Sequence, residues 1–159
     1  NAVLIGGTNE PEIRQMVYIT KDAPVELRFI ELMPIGECAH WPRERFLENS
    51  AVLEAVPELE PCGTSGVARL FSLPNARGRV GLISPLSSHF CPECNRIRIT
   101  PDGRLKPCLH SAQEIELRGF HGAELDAKLR EGICAKPMRH HLSPASPSES
   151  LRGMSRIGG

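Results

Sequence analysis

The sequence predicts an α/β region whose first strands run parallel, followed by an α+β extension built around a cysteine-bearing hairpin. Three observations predict it. A strand–helix–strand alternation runs from Ala2 to Met33, the punctuation changes after Gly36, and three of the six cysteines crowd between Cys91 and Cys108. Strand, helix and strand in so short a span form a βαβ unit, which implies a parallel pair.

The elements follow in order. Ala2 to Ile5 is a short apolar run closed by Gly6-Gly7-Thr8-Asn9. Asn9 reads as a helix N-cap, with Glu10, Pro11 and Glu12 in the first turn. Ile13, Met16, Val17 and Ile19 keep a helical period up to the exit at Pro24, and Val25 to Met33 is a strand stopped by Pro34. Two strands do not stand alone, and the chain opens on Asn1 inside a strand, so further strands are expected upstream in a longer protein. Arg43 to Val56 reads as a helix ended by Pro57. Val67 to Leu73 and Arg79 to Ile83 read as hairpin strands joined at Pro74-Asn75-Ala76-Arg77-Gly78. A last helix is expected over Glu124 to Cys134, and the Pro-, Ser- and His-rich tail from Pro137 is expected to lie extended over the surface.

Composition narrows the function. At 159 residues the chain is long enough for about one domain. Nineteen basic and nineteen acidic residues give zero net charge, which argues against a broad surface for nucleic acid. One Trp, one Tyr and five Phe are too few for a base-stacking platform. No apolar run reaches the roughly twenty residues of a membrane helix, and Ala2–Ile5 is too short and lacks the basic flank of a signal peptide. Clustered rather than evenly studded cysteines point to a metal site in a reducing compartment, hence the cytoplasm.

The chemistry concentrates in His89-Phe90-Cys91-Pro92-Glu93-Cys94-Asn95-Arg96-Ile97-Arg98-Ile99-Thr100-Pro101-Asp102-Gly103-Arg104-Leu105-Lys106-Pro107-Cys108. C-x2-C lets one tight turn aim two thiolates at one metal. Asn95 to Thr100 alternates as a strand, Pro101-Asp102-Gly103 suits a three-residue hairpin turn, and Arg104 to Cys108 returns. Placing Thr100 opposite Arg104 puts Arg98 opposite Lys106 and Arg96 opposite Cys108. Opposed residues share a face. Arg96, Arg98, Lys106 and Cys108 are then expected to project together, with Ile97, Ile99 and Leu105 packed on the other side. Three thiolates suit zinc with a fourth ligand, His89, His110 or a further cysteine, or a [4Fe–4S] cluster with one open iron. Spacing alone favours zinc, since C-x2-C zinc sites are so common. The adjacent cations favour an anion, and arginine suits bidentate phosphate contact.

The stretch C-x2-C-N-R-I-R-I-T-x-D-G-x-L-x-x-C, the upstream Arg28-Phe29-Ile30-Glu31-Leu32-Met33-Pro34 and the terminal Ile157-Gly158-Gly159 together resemble the C-terminal part of the GTP 3′,8-cyclase family of radical S-adenosylmethionine (SAM) enzymes. The resemblance covers nearly the whole chain. It implies that residues 1–36 are the last βαβ part of an incomplete TIM-type barrel, and residues 37–159 a molybdenum-cofactor-synthesis domain. It implies a [4Fe–4S] cluster on Cys91, Cys94 and Cys108, with GTP at the open iron. Arg96, Ile97, Arg98 and Arg28 would contact GTP, and we add Lys106 from the hairpin register. Met33 would contact SAM, and Gly158 and Gly159 would reach the active site. The implied partners are GTP and SAM, and the longer enzyme is expected to be a homodimer.

Several features depart from the family, among them a segment between Leu117 and Leu125 that is a few residues shorter than expected and His110 where an aromatic is expected. The C-x3-C-x2-C spacing of the SAM-binding cluster is absent among Cys38, Cys62, Cys91, Cys94, Cys108 and Cys134, so the chain alone is expected to be inactive. A zinc-stabilised binding module, or an inert truncated product, is the alternative. Cys38, Cys62 and Cys134 match no family ligand and read as ordinary thiols. Arg28 and Met33 differ in parity along a regular strand, so the Pro34 exit must turn one of them.

Overall fold

A computed structural model describes residues 1–157, and the expected Gly158–Gly159 tail lies outside the described residues. Contacts divide the chain into two compact units. One is Asn1–Met33 with Pro42–Phe90; the other is Pro34–Trp41 with the run from Cys91 onward. This differs from a division at residue 36, because residues 42–90 add strands to the first sheet.

The first unit contains β1 (Ala2–Leu4), α1 (Ile13–Asp22), β2 (Glu26–Glu31), α2 (Ser50–Ala55), β3 (Glu60–Ser65), β4 (Ala68–Ser72) and β5 (Arg79–Ile83). The sheet order is β1-β2-β5-β4-β3. β1–β2 and β2–β5 are parallel, so the expected βαβ unit is present, and β2 takes its second neighbour from downstream. β4 pairs antiparallel with β5, as the hairpin pattern predicts. β3 then adds an edge strand with a bulge between Pro61 and Gly63. Leu4, Ile13, Val17, Phe29, Val52, Val56, Val80 and Leu82 form the core of this unit.

Two local expectations change. Asn9 does not cap a helix. Its side chain accepts from the Ile5 N–H at 2.9 Å and donates to the Val3 carbonyl at 2.8 Å, tying the end of β1 to the following turn. A short 3-10 turn, Glu10–Glu12, precedes α1. The helix expected from Arg43 shrinks to a 3-10 turn, Arg43–Arg45, and then α2. Arg45 is used instead to pin the first turn, bonding Gly6 O at 3.1 Å and Thr8 Oγ1 at 2.7 Å.

Glu31 organises the C-terminal end of β2. It is fully buried, yet its carboxylate accepts from the backbone N–H groups of Asn49 (3.0 Å), Leu86 (2.8 Å) and Ser87 (3.0 Å), and from Ser87 Oγ. A buried carboxylate demands such satisfaction. The loop after β5 is thereby fixed to the end of β2.

The second unit contains β6 (Arg98–Ile99), β7 (Arg104–Lys106), β8 (Ile115–Glu116) and α3 (Gly122–Cys134). They form an antiparallel sheet β6-β7-β8. Gly132 of α3 lies so close to Leu105 of β7 that a Cβ there would sit 2.1 Å from Leu105 Cδ2. The tail is not a plain surface strap, because Leu142, Ser150 and Ile157 are buried.

Candidate metal centre

The hairpin that presents the cysteines is set by its turn. Gly103 takes a positive φ of 77°, the left-handed position that favours glycine. The Gly103 N–H donates to Thr100 O (2.9 Å), and the Thr100 N–H donates to Arg104 O (2.8 Å). Arg98 then opposes Lys106 and Ile99 opposes Leu105, the register read from the sequence. The ladder stops there, short of the strands expected over 95–100 and 104–108. Lys136 takes over, its ammonium donating to Arg96 O (2.8 Å) and Pro107 O (3.1 Å). One cation from beyond α3 thus holds the Cys94 and Cys108 ends of the hairpin together.

Cys91 opens a single 3-10 turn, Cys91–Glu93, and the Cys94 N–H donates to Cys91 O at 3.1 Å. Cys91, Cys94 and Cys108 are free thiols, each half-buried. Cys62 and Cys134 are exposed. Cys38 is half-buried, and burial, with Glu37 adding to it, pushes its thiol up from the ordinary cysteine range. Three soft sulfur donors lie on one hairpin and none is fully buried, as a metal or iron–sulfur group requires. Among the described residues, Cys91 alone of the three belongs to a group of three or more potential ligand atoms within 4.8 Å of one another.

The cation row differs from expectation at one end. Arg96 is exposed and Arg98 half-buried. Lys106 is 1% exposed, and its ammonium donates to Ser111 O at 2.7 Å and lies 3.4 Å from Glu114 Oε1. Register puts Lys106 opposite Arg98, but the segment running into β8 covers it. It is a structural cation rather than an anion-facing one. Ile99, expected to pack, is 56% exposed, and Leu105 takes the buried position. Ile97 is half-buried.

Around Lys106 lies an ion network. Arg152 bonds both oxygens of Asp102 (2.9 and 2.7 Å) and both of Glu114 (2.6 and 2.7 Å). Arg104 stands 3.6 Å from Asp102 and from Glu116. The Arg152 guanidinium holds the Glu114 and Asp102 carboxyls below the usual carboxylate range and is itself raised by them.

Beside Cys108 opens a cavity of about 150 Å³, lined also by His110, Arg139, His140, His141 and Ser148. His110 is buried, and its ring meets His140 edge-on at 4.7 Å between centroids. A ring nitrogen of His140 lies within 4.8 Å of the Cys91 sulfur. Sequence reasoning missed His140, because the tail carries no periodic signal. The only cue was the His140-His141 pair in a segment read as a loop.

In the first unit, Arg28 lies on β2 opposite Gly81 of β5. A Cβ on Gly81 would sit 3.1 Å from Arg28 Cγ, so the glycine leaves the arginine its space. Arg28 bonds Glu26 Oε1 (2.6 Å) and Ser65 Oγ (3.1 Å). Met33 is half-buried and falls beyond the end of β2, where strand parity with Arg28 no longer applies. Among the described residues no helix is long and apolar enough to cross a membrane.

The family model for Molybdenum Cofactor Synthesis C matches residues 25–142, spanning β2 through the cysteine hairpin and α3 into the tail. The chain belongs to the Molybdenum Cofactor Synthesis C family. As a member of that family, it is 47% identical over its whole length to a protein named GTP 3′,8-cyclase from Alkaliphilus oremlandii and 49% identical to one from Alkaliphilus metalliredigens, covering 51% of each. A Pelotomaculum thermopropionicum protein of the same name is 40% identical, with 52% covered. This Molybdenum Cofactor Synthesis C chain spans about half the length of the curated relatives it matches.

Proposed function

We propose that this chain is the GTP-binding, cluster-carrying portion of a GTP 3′,8-cyclase, which with SAM converts GTP to (8S)-3′,8-cyclo-7,8-dihydroguanosine 5′-triphosphate in molybdenum cofactor biosynthesis. The observation that carries the reading is the hairpin itself. Cys91 and Cys94 share one turn, Cys108 follows the return strand, and Lys136 joins Arg96 to Pro107 between them. The relatives named above support the reaction. The βαβ segment of β1, α1 and β2 is read as the end of an incomplete TIM-type barrel, whose remaining strands and SAM-binding cluster would come from the rest of the longer enzyme, in the cytoplasm.

Cys91, Cys94 and Cys108 would hold a [4Fe–4S] cluster, which when bound supplies an open iron for an atom of the guanine base. The remaining work is the protein's own. Arg96 and Arg98 neutralise and orient the triphosphate, with Ile97 fixing the spacing between them. Arg28, held by Glu26 and Ser65, is read as a further GTP contact. Met33 is read as a SAM contact, and Gly158 and Gly159 as active-site residues.

Anaerobic reconstitution with iron and sulfide tests this reading. About four irons per chain, with the brown colour of a cluster, are expected. A colourless protein holding one tetrahedral zinc overturns it. In the longer enzyme, Arg96→Ala and Arg98→Ala should each weaken GTP binding at unchanged iron content. Equal affinity in both variants removes the triphosphate role.

A further inference from the structure

Of the cations read as GTP contacts, Arg28 is the one in the first unit. Glu26 and Arg28 stand two apart on β2, so their side chains share one face of the sheet. Arg28 lies opposite Gly81 of β5. Gly81 is not among the glycines with positive φ, so no turn requires it. Space does. A Cβ there would lie 3.1 Å from Arg28 Cγ, 3.4 Å from Ala68 Cβ and 3.5 Å from Leu70 Cδ2. The arginine stem thus runs over Gly81 beside Ala68 and Leu70 of β4, and its guanidinium reaches Ser65 at the end of β3.

The guanidinium is held at two of its three nitrogens. Glu26 Oε1 accepts from Nε at 2.6 Å and stands 2.5 Å from Nη2. Nη2 also donates to Ser65 Oγ at 3.1 Å. Among the described residues Nη1 makes no hydrogen bond or ion pair. A guanidinium is a rigid plane, so fixing Nε and Nη2 fixes the direction of both Nη1 N–H bonds. As a source of stability such a pair counts for little, because its side chains are 34% and 33% exposed. What it supplies is orientation.

We propose that Glu26 and Ser65 are positioning residues for GTP, which set the plane of the Arg28 guanidinium and leave its Nη1 edge for the nucleotide. The proposal rests on the reading of Arg28 as a GTP contact. The Glu26 carboxylate offsets the Arg28 charge, so Arg28 adds orientation and little long-range attraction.

The test measures GTP and SAM affinity of the longer enzyme in wild type, Glu26→Ala, Glu26→Gln, Ser65→Ala and Arg28→Ala. Glu26→Ala and Ser65→Ala are each also combined with Arg28→Ala to close a double-mutant cycle. A single oxygen of Glu26 makes both contacts, so the amide oxygen of glutamine can replace it. Glu26→Ala should raise the Kd for GTP about three- to tenfold, the worth of one ordinary hydrogen bond. Glu26→Gln should recover toward wild type, and Ser65→Ala should show a smaller rise. Both alanine effects should vanish once Arg28 is alanine, and SAM affinity should hold throughout. Unchanged GTP affinity in Glu26→Ala overturns the proposal. Tighter binding does so too, since that marks Glu26 as a counter-ion competing with the phosphates. A Glu26→Ala loss undiminished in the Arg28→Ala background also overturns it, as does an equal loss of SAM affinity, which marks a disturbed sheet. Should Glu26→Ala not fold, Ser65→Ala decides: a rise in Kd that needs Arg28 is expected, and wild-type affinity overturns the proposal. A wild-type enzyme that binds no GTP ends both this proposal and the GTP reading, whereas GTP binding that ignores Glu26 and Ser65 ends this one alone.

Discussion

In the first unit the deeply buried large side chains include Leu4, Phe29, Val80 and Leu82, each at most 1% exposed and gathered in one apolar cluster, with Glu31 the buried charge among them. In the second unit Lys106 is as deeply buried as Leu105 next to it, and the strands around them are two or three residues long. The long sheet hides enough hydrocarbon to hold itself by a non-directional force. The hairpin unit spends its length on cysteines, turns and a cavity, so it adds directional bonds from Arg152, Glu114, Asp102 and Lys106. The teaching is that charge geometry holds the surroundings of the cysteine hairpin where hydrocarbon is short.

The comparison breaks most visibly at Phe29. Phe29→Ala should cost about 3–5 kcal/mol in denaturant unfolding, the usual range for emptying a buried aromatic site. A loss no larger than that of an exposed-site variant such as Val3→Ala would show that the cluster is not the source of stability. Next comes Arg152→Ala, which removes four charge-assisted hydrogen bonds at partly exposed groups. We expect a loss smaller than that of Phe29→Ala, with amide exchange accelerating across 98–118 and 150–157 and unchanged in β1, β2 and β5. Uniform acceleration would erase the distinction between the units.

The smallest effect is acid dependence. Arg152 lowers the folded-state pKa of Glu114. The stabilisation from that carboxylate is therefore fully present above its unfolded value of about 4.3 and fades as pH falls through the lower folded value. Wild type should lose more stability between pH 7 and about pH 3 than Arg152→Ala does over the same interval. Parallel losses in urea titrations at the two pH values would count against the pairing.

Legibility in the sequence followed how local each cause is. Pro101-Asp102-Gly103 sets its own turn, so the Arg98–Lys106 register could be read directly. The βαβ unit and the β4–β5 hairpin carry strong periodic patterns and were likewise readable. β3 was not, because Glu60-Pro61-Cys62-Gly63-Thr64-Ser65 is almost wholly exposed and holds a Pro and a Gly that argue against a strand. Nor was β8, whose two residues carry no periodicity. The burial of Lys106 depends on Glu114 and the ion pairs that Arg152 adds from far along the chain, and His140 reaches Cys91 only through the fold of the tail. Cysteine spacing announced the three candidate donors, but no spacing announces a histidine folded back beside one of them.

Pro34–Trp41 belongs to the second unit although the chain continues from it into the first. Its place is held by the Ser148 N–H, which donates to Pro34 O at 3.0 Å, and by a backbone approach so close that a Cβ on Gly36 would lie 3.0 Å from Gly153 Cα. A chain leaves the ribosome N-terminus first. The residues of the sheet unit have all emerged once Phe90 is out, whereas Pro34–Trp41 waits for residues 148 and 153. During synthesis the sheet unit has all its residues available before the cysteine-bearing unit does, so the thiols of that unit stay uncovered for longer.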